Sequence, residues 1–185
     1  MMPEAVLTPG QDARIRAAQW FMEQGFGAFS VWSGSNGICQ CASGASCTSP
    51  GKHPIGKQGF LDATREPDRI ALLLSAASQP NYGLVCPDDI FILDVDGDGI
   101  AQLAELEGRL GELPETLRTQ TPHGWHIFLR WPAGVPRPIG QMFGFVTRWG
   151  SGQGAGYVIG PRSVNVEGTE YLPAGIPTIA TLPEA

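Results

Sequence analysis

The chain has 185 residues, 42% hydrophobic and 16% charged, with 25 Gly, 16 Pro and a formal net charge of −6. That length supports one sizeable core, while the glycine and proline content excludes a helical bundle, coiled coil or collagen. Apolar runs of only a few residues exclude a spanning helix, so no membrane partner is expected. In chain order, Thr8-Pro9-Gly10-Gln11 has a capping residue, a proline at the first helical position and Gln three residues after the cap. Ala13, Ala17, Trp20 and Phe21 continue at helical spacing, which predicts a first helix ending at Gly25. Phe26 to Trp32 reads as a strand, and Ser33 to Gly59 as a long Gly, Ser, Cys and Pro loop with no core of its own. A second helix is predicted over Arg65–Ala77, with Ile70, Leu73 and Leu74 on its apolar face. Tyr82–Cys86 and Ile90–Val95 read as strands, the second apolar on both faces and therefore central. A third helix over Ile100–Leu110 ends before Pro114, and strand-like pieces follow at Leu117–Thr121, His126–Trp131, Met142–Arg148, Gly156–Ile159 and Tyr171. Helices early and turn-linked strands late indicate an α+β fold with a largely antiparallel central sheet.

The charge is unevenly spread. From Thr116 to Val166 there is no Asp or Glu, while Arg118, Arg130, Arg137, Arg148 and Arg162 fall there. Just upstream, Asp88, Asp89, Asp94, Asp96 and Asp98 crowd together at a density that calls for solvation or cations. A cation site beside an anion-binding surface accounts for both features; an acidic turn with ordinary surface arginines is the alternative.

Cys39, Cys41, Cys47 and His53 put three thiols and an imidazole into the loop that lacks apolar residues. A tetrahedral Cys3His zinc knot would supply that loop with folding free energy, and three thiols would leave one unpaired in any disulfide scheme. Cys86, inside a strand, reads as a small buried residue.

Ile90-Phe91-Ile92-Leu93 leads into Asp94, Asp96 and Asp98. Positions 94 and 96 share a strand face, so both carboxylates can meet hard divalent cations such as Mg2+ or Mn2+, as two-metal phosphoryl transfer requires. The rival pattern is the twelve-residue calcium loop, matched by Asp94, Asp96, Asp98, Gly99 and Glu105, but that loop needs a helix entering it and here a strand is predicted. In the strand that starts at His126, alternation sets His126, Phe128 and Arg130 on one face and Ile127, Leu129 and Trp131 on the core face. If this strand pairs with the acidic one, His126 and Arg130 can donate to phosphate oxygens beside the aspartates.

Taken in order, these segments resemble the primase-polymerase domain of the archaeo-eukaryotic primase superfamily, found in phage and plasmid replication proteins. The resemblance rests on Cys39 to Pro54 with its Gly51-Lys52-His53-Pro54 ending, Tyr82-Gly83-Leu84-Val85, Leu93-Asp94-Val95-Asp96-Gly97 and Thr121-Pro122-His123-Gly124-Trp125-His126. It continues through Val146-Thr147-Arg148, Gly156-Tyr157-Val158-Ile159-Gly160-Pro161-Arg162-Ser163 and Tyr171. It implies an RRM-like palm with flanking helices and the zinc loop, and a DNA primase and polymerase that takes a DNA template with NTP or dNTP substrates. Asp94 and Asp96 would be catalytic metal ligands, and His126 would contact the triphosphate. Arg130 and Arg148 would bind nucleotide phosphates, and Trp125 or Trp149 could stack bases, although a core position is the expected reading of either tryptophan. The family has a third carboxylate where Val146 stands, so Asp98, Asp88 or Asp89 is the candidate to complete the metal shell. The family's Thr-Pro turn before His is also one residue longer than here. Residues 1–172 would form the catalytic domain with its zinc knot at 39–53, and 173–185 a linker or tail that a helicase domain could follow. The alternatives kept open are a catalytically weak nucleic-acid-binding module of the same fold, and a calcium-binding protein.

Overall fold

The computed structural model describes residues 7–137, 145–151 and 155–183. Its elements in chain order are α1 (Pro9–Glu23), β1 (Gly27–Val31), β2 (Gly34–Ser35), β3 (Ile38–Cys39), α2 (Pro67–Leu74), β4 (Asn81–Val85), β5 (Ile90–Asp96) and α3 (Gly99–Leu110). Then come β6 (Leu117–Gln120), β7 (Gly124–Arg130), β8 (Val146–Trp149), β9 (Val158–Ile159), β10 (Leu172–Gly175) and β11 (Ala180–Thr181). The fold is mixed α+β with antiparallel sheets, as the composition and periodicity predict. Among the described residues no helix is long and apolar enough to cross a membrane.

The described chain divides into two compact units, where its length suggested one core. The first comprises residues 1–85 and 159–171. Thr8 opens α1 with a reciprocal cap: Gln11 N–H donates to Thr8 Oγ1 (3.2 Å) and Thr8 N–H donates to Gln11 Oε1 (3.0 Å). The same Gln11 amide group donates to the carbonyls of Leu74 and Ala76, tying the start of α1 to the end of α2. Ile15, Ala18, Phe21 and Met22 of α1 are buried, as are Ile70 and Leu74 of α2. β1 pairs antiparallel with β4, and Phe29 stands opposite Gly83. A Cβ at Gly83 would lie 2.4 Å from Phe29 Cζ, so the ring crosses the partner strand through the space glycine leaves.

The second unit comprises residues 86–158 and 172–185, of which the described part forms a sheet in the order β10-β6-β7-β5-β8. All these pairings are antiparallel; β11 alone adds parallel to β7. Strand alternation sorts the side chains cleanly. Phe91, Leu93, Val95, Ile127, Leu129 and Trp149 turn to one face and form the core cluster with Phe145, against which Leu103 and Leu106 of α3 pack. The opposite face carries the polar row described below.

One local expectation is corrected. Residues 173–183, expected as part of a linker or tail, contain β10 and β11, so a proline-rich composition here marks edge pairing rather than release from the sheet. Of the strand expected over Met142–Arg148, Met142 to Gly144 lie outside the described residues, and β8 begins at Val146. Trp149, for which a core position is expected ahead of base stacking, is 2% exposed and stacks on Phe91 with ring centroids 5.0 Å apart. It is core, and Trp125 packs partly buried against the same cluster.

Candidate active site

β5 is flanked by β7 and β8, and its register defines the polar face. Asp94 stands opposite His126 on one side and Val146 on the other; His126 in turn stands opposite Thr119. Thr119, His126, Asp94 and Val146 thus form one row across four strands, all on the face away from the hydrophobic cluster. Asp96, two residues along β5, shares that face and stands opposite Gly124.

Within this row His126 Nε2 lies 3.7 Å from Asp94 Oδ1, and Arg148 Nη2 lies 3.9 Å from Asp94 Oδ2. The imidazole is buried and the Asp94 carboxylate largely so, which strengthens both attractions relative to a surface pair. Asp96 is exposed, and its Oδ1 accepts from Thr121 Oγ1 at 3.2 Å. Thr121 Oγ1 also accepts from the N–H groups of His123 and Gly124, so the turn before β7 is clamped to the acid at the end of β5. Gly124 permits this closure: a Cβ there would fall 1.9 Å from the Val95 carbonyl oxygen. Gly156 does the same for Arg148, whose Cδ would lie 3.2 Å from a Cβ at that position.

The other candidates are placed differently. Arg130 is on the same face but stands opposite Ile90, about 13 Å along the strand from the His126 row, and forms an ion pair with Asp89. Asp98 lies beyond the strand, exposed at the N-cap of α3. Asp88 accepts from Ser151 Oγ at 2.6 Å. The structure therefore brings together Asp94, Asp96, His126 and Arg148, and leaves Arg130, Asp88 and Asp89 away from them. Because β5 enters Asp94 as a strand, the helix that a calcium loop needs in front of its first ligand is not there. Thr121 opens the Thr-Pro turn that the resemblance singles out, but its role as the clamp on Asp96 was not anticipated, because the motif does not say which acid the hydroxyl meets.

In the first unit Cys39, Cys41, Cys47 and His53 bring one ligand atom each to within 4.8 Å of one another. Around a tetrahedral zinc with ~2.3 Å Zn–S bonds, sulfurs lie ~3.8 Å apart, so this donor set fits zinc in number, type and spacing. Cys39 Sγ is 3.5 Å from His53 Nε2. Burial, the largest influence on Cys41, raises its pKa; the Ser43 backbone, His53, Cys39 and Cys47 together outweigh it and bring the thiol down to about 6. Cys86, in contrast, is pushed up to about 12 by burial. The loop also has anchors that its composition does not reveal. Trp32 N–H donates to the His53 carbonyl, Gly37 N–H donates to the Val166 carbonyl, and the buried Asn81 amide donates to the carbonyls of Gly51 and Val164.

The family model described as the bifunctional DNA primase/polymerase N-terminal domain matches residues 18–185, all but the first 17 residues. The chain belongs to the Prim-Pol family. Family membership makes this a DNA primase/polymerase-type replication domain, and the match takes in the second unit of the Prim-Pol chain and all of the first beyond residue 17. No curated protein matches it.

Proposed function

We propose that this Prim-Pol domain is a template-directed nucleotidyltransferase, a DNA primase and polymerase of the phage and plasmid replication type, working in the cytoplasm on a DNA template with NTP or dNTP substrates. The observation that carries this reading is the Asp94–His126 pair: an acid and an imidazole 3.7 Å apart on one sheet face, with Asp96 beside them. Two carboxylates on one face are the oxygen donors that Mg2+ or Mn2+ prefers, so the residues fit such ions. Bound there, the ions would lower the pKa of the attacking 3′-hydroxyl and balance triphosphate charge.

The chain's own contribution is positioning. Asp94 and Asp96 present their carboxylates from a strand whose other face is locked into the core, so little reorganisation accompanies nucleotide binding. His126 can donate an N–H to a phosphate oxygen, and Arg148, fixed beside Asp94, can place a second positive donor there. Thr121 holds Oδ1 of Asp96 and leaves Oδ2 for a metal. Asp98, at the open end of the same turn, is the candidate third oxygen donor. A helicase domain following the chain would fit a replication protein.

A second reading is favoured by one specific residue. Val146 stands directly opposite Asp94, at the position where a third acid would complete the row. A face with two acids could bind nucleotide and polymerise slowly, acting chiefly as a nucleic-acid-binding module. Primer extension with Mg2+ and with Mn2+ separates the readings. The intact chain should incorporate nucleotides, and Asp94→Asn with Asp96→Asn should reduce incorporation by on the order of a hundredfold or more. No incorporation by the intact chain with either metal would leave only the binding module.

A further inference from the structure

The first unit contains a second polar centre that the acid face does not use. Arg14 lies on the buried side of α1, only 5% exposed, and its Nε and Nη2 atoms have no hydrogen-bond partner and no contact with solvent. A guanidinium does not give up its charge in a protein, so a buried one without acceptors is costly. Tyr82 on β4 is fully buried, and its hydroxyl also lacks a partner. Native proteins rarely leave such groups unsatisfied without an ion, a water or a ligand.

These two groups belong together with a third. A Cβ at Gly160 would fall 2.3 Å from Tyr82 Cζ, so the chain at 160 runs against the hydroxyl end of the phenol. Two residues on, Arg162 has φ +69°, a left-handed conformation that a side-chain-bearing residue adopts only when its surroundings hold it there. Arg162 Nη1 bonds Glu170 Oε1 at 3.0 Å, both side chains being about 40% exposed (43% and 39%). Burial keeps the Tyr82 hydroxyl protonated in spite of the positive charges of Arg14 and Arg162. The centre therefore offers two guanidiniums and a hydroxyl, all donors, against the single carboxylate of Glu170. Arg14 Nη1 lies 3.9 Å from where a Cβ on the exposed Gly10 would stand.

We infer that Arg14, Tyr82 and Arg162 form a phosphate-binding site. Donors from three segments of the chain, near enough for the charges of Arg14 and Arg162 to act on Tyr82, suit a tetrahedral oxyanion better than a planar carboxylate, and the guanidinium fork matches phosphate oxygens. The phosphate is either one on a nucleic-acid backbone or a free one, inorganic or at the end of a nucleotide. Glu170 competes with the anion for Arg162.

Calorimetric titration of the full chain with inorganic phosphate at fixed ionic strength tests this. Arg14→Met, Tyr82→Phe and Arg162→Gln should each weaken phosphate binding, the arginine variants by about ten- to a hundredfold. Glu170→Gln should strengthen it, an effect that a purely structural role for the Arg162–Glu170 pair would not produce. Should Arg14→Met fail to fold, the opposite signs of the half-exposed Arg162→Gln and Glu170→Gln still decide. Displacement of phosphate by a short single-stranded oligonucleotide assigns a strand phosphate; displacement by tripolyphosphate alone assigns a free one. Absence of phosphate binding, or equal affinity in wild type, Arg162→Gln and Glu170→Gln, overturns the site.

Discussion

Cys41 and Cys86 are thiols of one chain whose environments drive them apart. With Cys41 at about 6 and Cys86 at about 12, only Cys41 is largely thiolate at pH 7 in the metal-free protein. Iodoacetamide at pH 7 should therefore modify Cys41 first and leave Cys86 intact, as peptide mass mapping would show, and bound zinc should protect Cys41. Equal labelling of the two would contradict the assigned environments. The sign of the linked stability follows from the same shift. Cys41 in the folded chain sits below its ordinary value of 9.0, so the unfolded chain holds the extra proton between about pH 6 and 9. Its contribution to the stability of the metal-free protein is complete above that window and is lost as the pH falls through about 6, which denaturant titrations across the range would measure.

At the scale of elements, the decisive arrangement is the register of β5 between β7 and β8. It sets Asp94 between His126 and Val146, and Val146 is 38% exposed, so a carboxylate there needs no burial. Val146→Asp should tighten Mn2+ binding on the order of tenfold and raise primer extension, since affinity for hard cations follows the number of charged oxygen ligands. Unchanged Mn2+ affinity would show that position 146 does not face the metal. Gly124 tests the same register from the other strand. In Gly124→Ala the new Cβ meets the Val95 backbone, so β5 and β7 must separate at the acid end. A stability loss of about 1–3 kcal/mol by thermal unfolding is expected, with a disproportionate fall in nucleotide incorporation as Thr121 loses its hold on Asp96. Wild-type stability and activity in Gly124→Ala would contradict the close approach.

Across the whole molecule, much of the fold was readable from the chain. The Thr8 cap, the alternation of His126 to Trp131 and the apolar run into Asp94 are local patterns with strong periodicity, and each produced its element within a few residues. What stayed hidden depends on partners distant in sequence. Nothing in Pro173 to Ala185 states that its segments find the edges of β6 and β7, because short strands rich in proline and glycine carry no period. Nor does the composition of the cysteine loop announce Asn81 and Val166 as its anchors, and the capture of Arg130 by Asp89 depends on the exposed end of a sheet. In the site, strand alternation put His126 on a face that could meet Asp94, but their pairing needed the register of β5 against β7, and the clamp from Thr121 needed the turn geometry. The anchors bear on metal removal. Purified protein should carry one zinc per chain, and chelation should raise hydrogen exchange over residues 39–53 while β5 and β7 amides stay protected, since their ladder lies in the other unit. Exchange rising throughout the chain would mean that zinc holds the whole fold.

The proposed activity requires the Asp94, Asp96 and His126 face to grip a metal-bound triphosphate, and the most direct test is a crystal soaked with Mn2+ and a non-hydrolysable nucleotide triphosphate, read by anomalous scattering. Manganese density in contact with carboxylate oxygens of both Asp94 and Asp96, with a phosphate oxygen in hydrogen-bond reach of the His126 imidazole, is the predicted result. Manganese and nucleotide bound away from that face, with Asp94 contacting only His126 and Arg148, would contradict it.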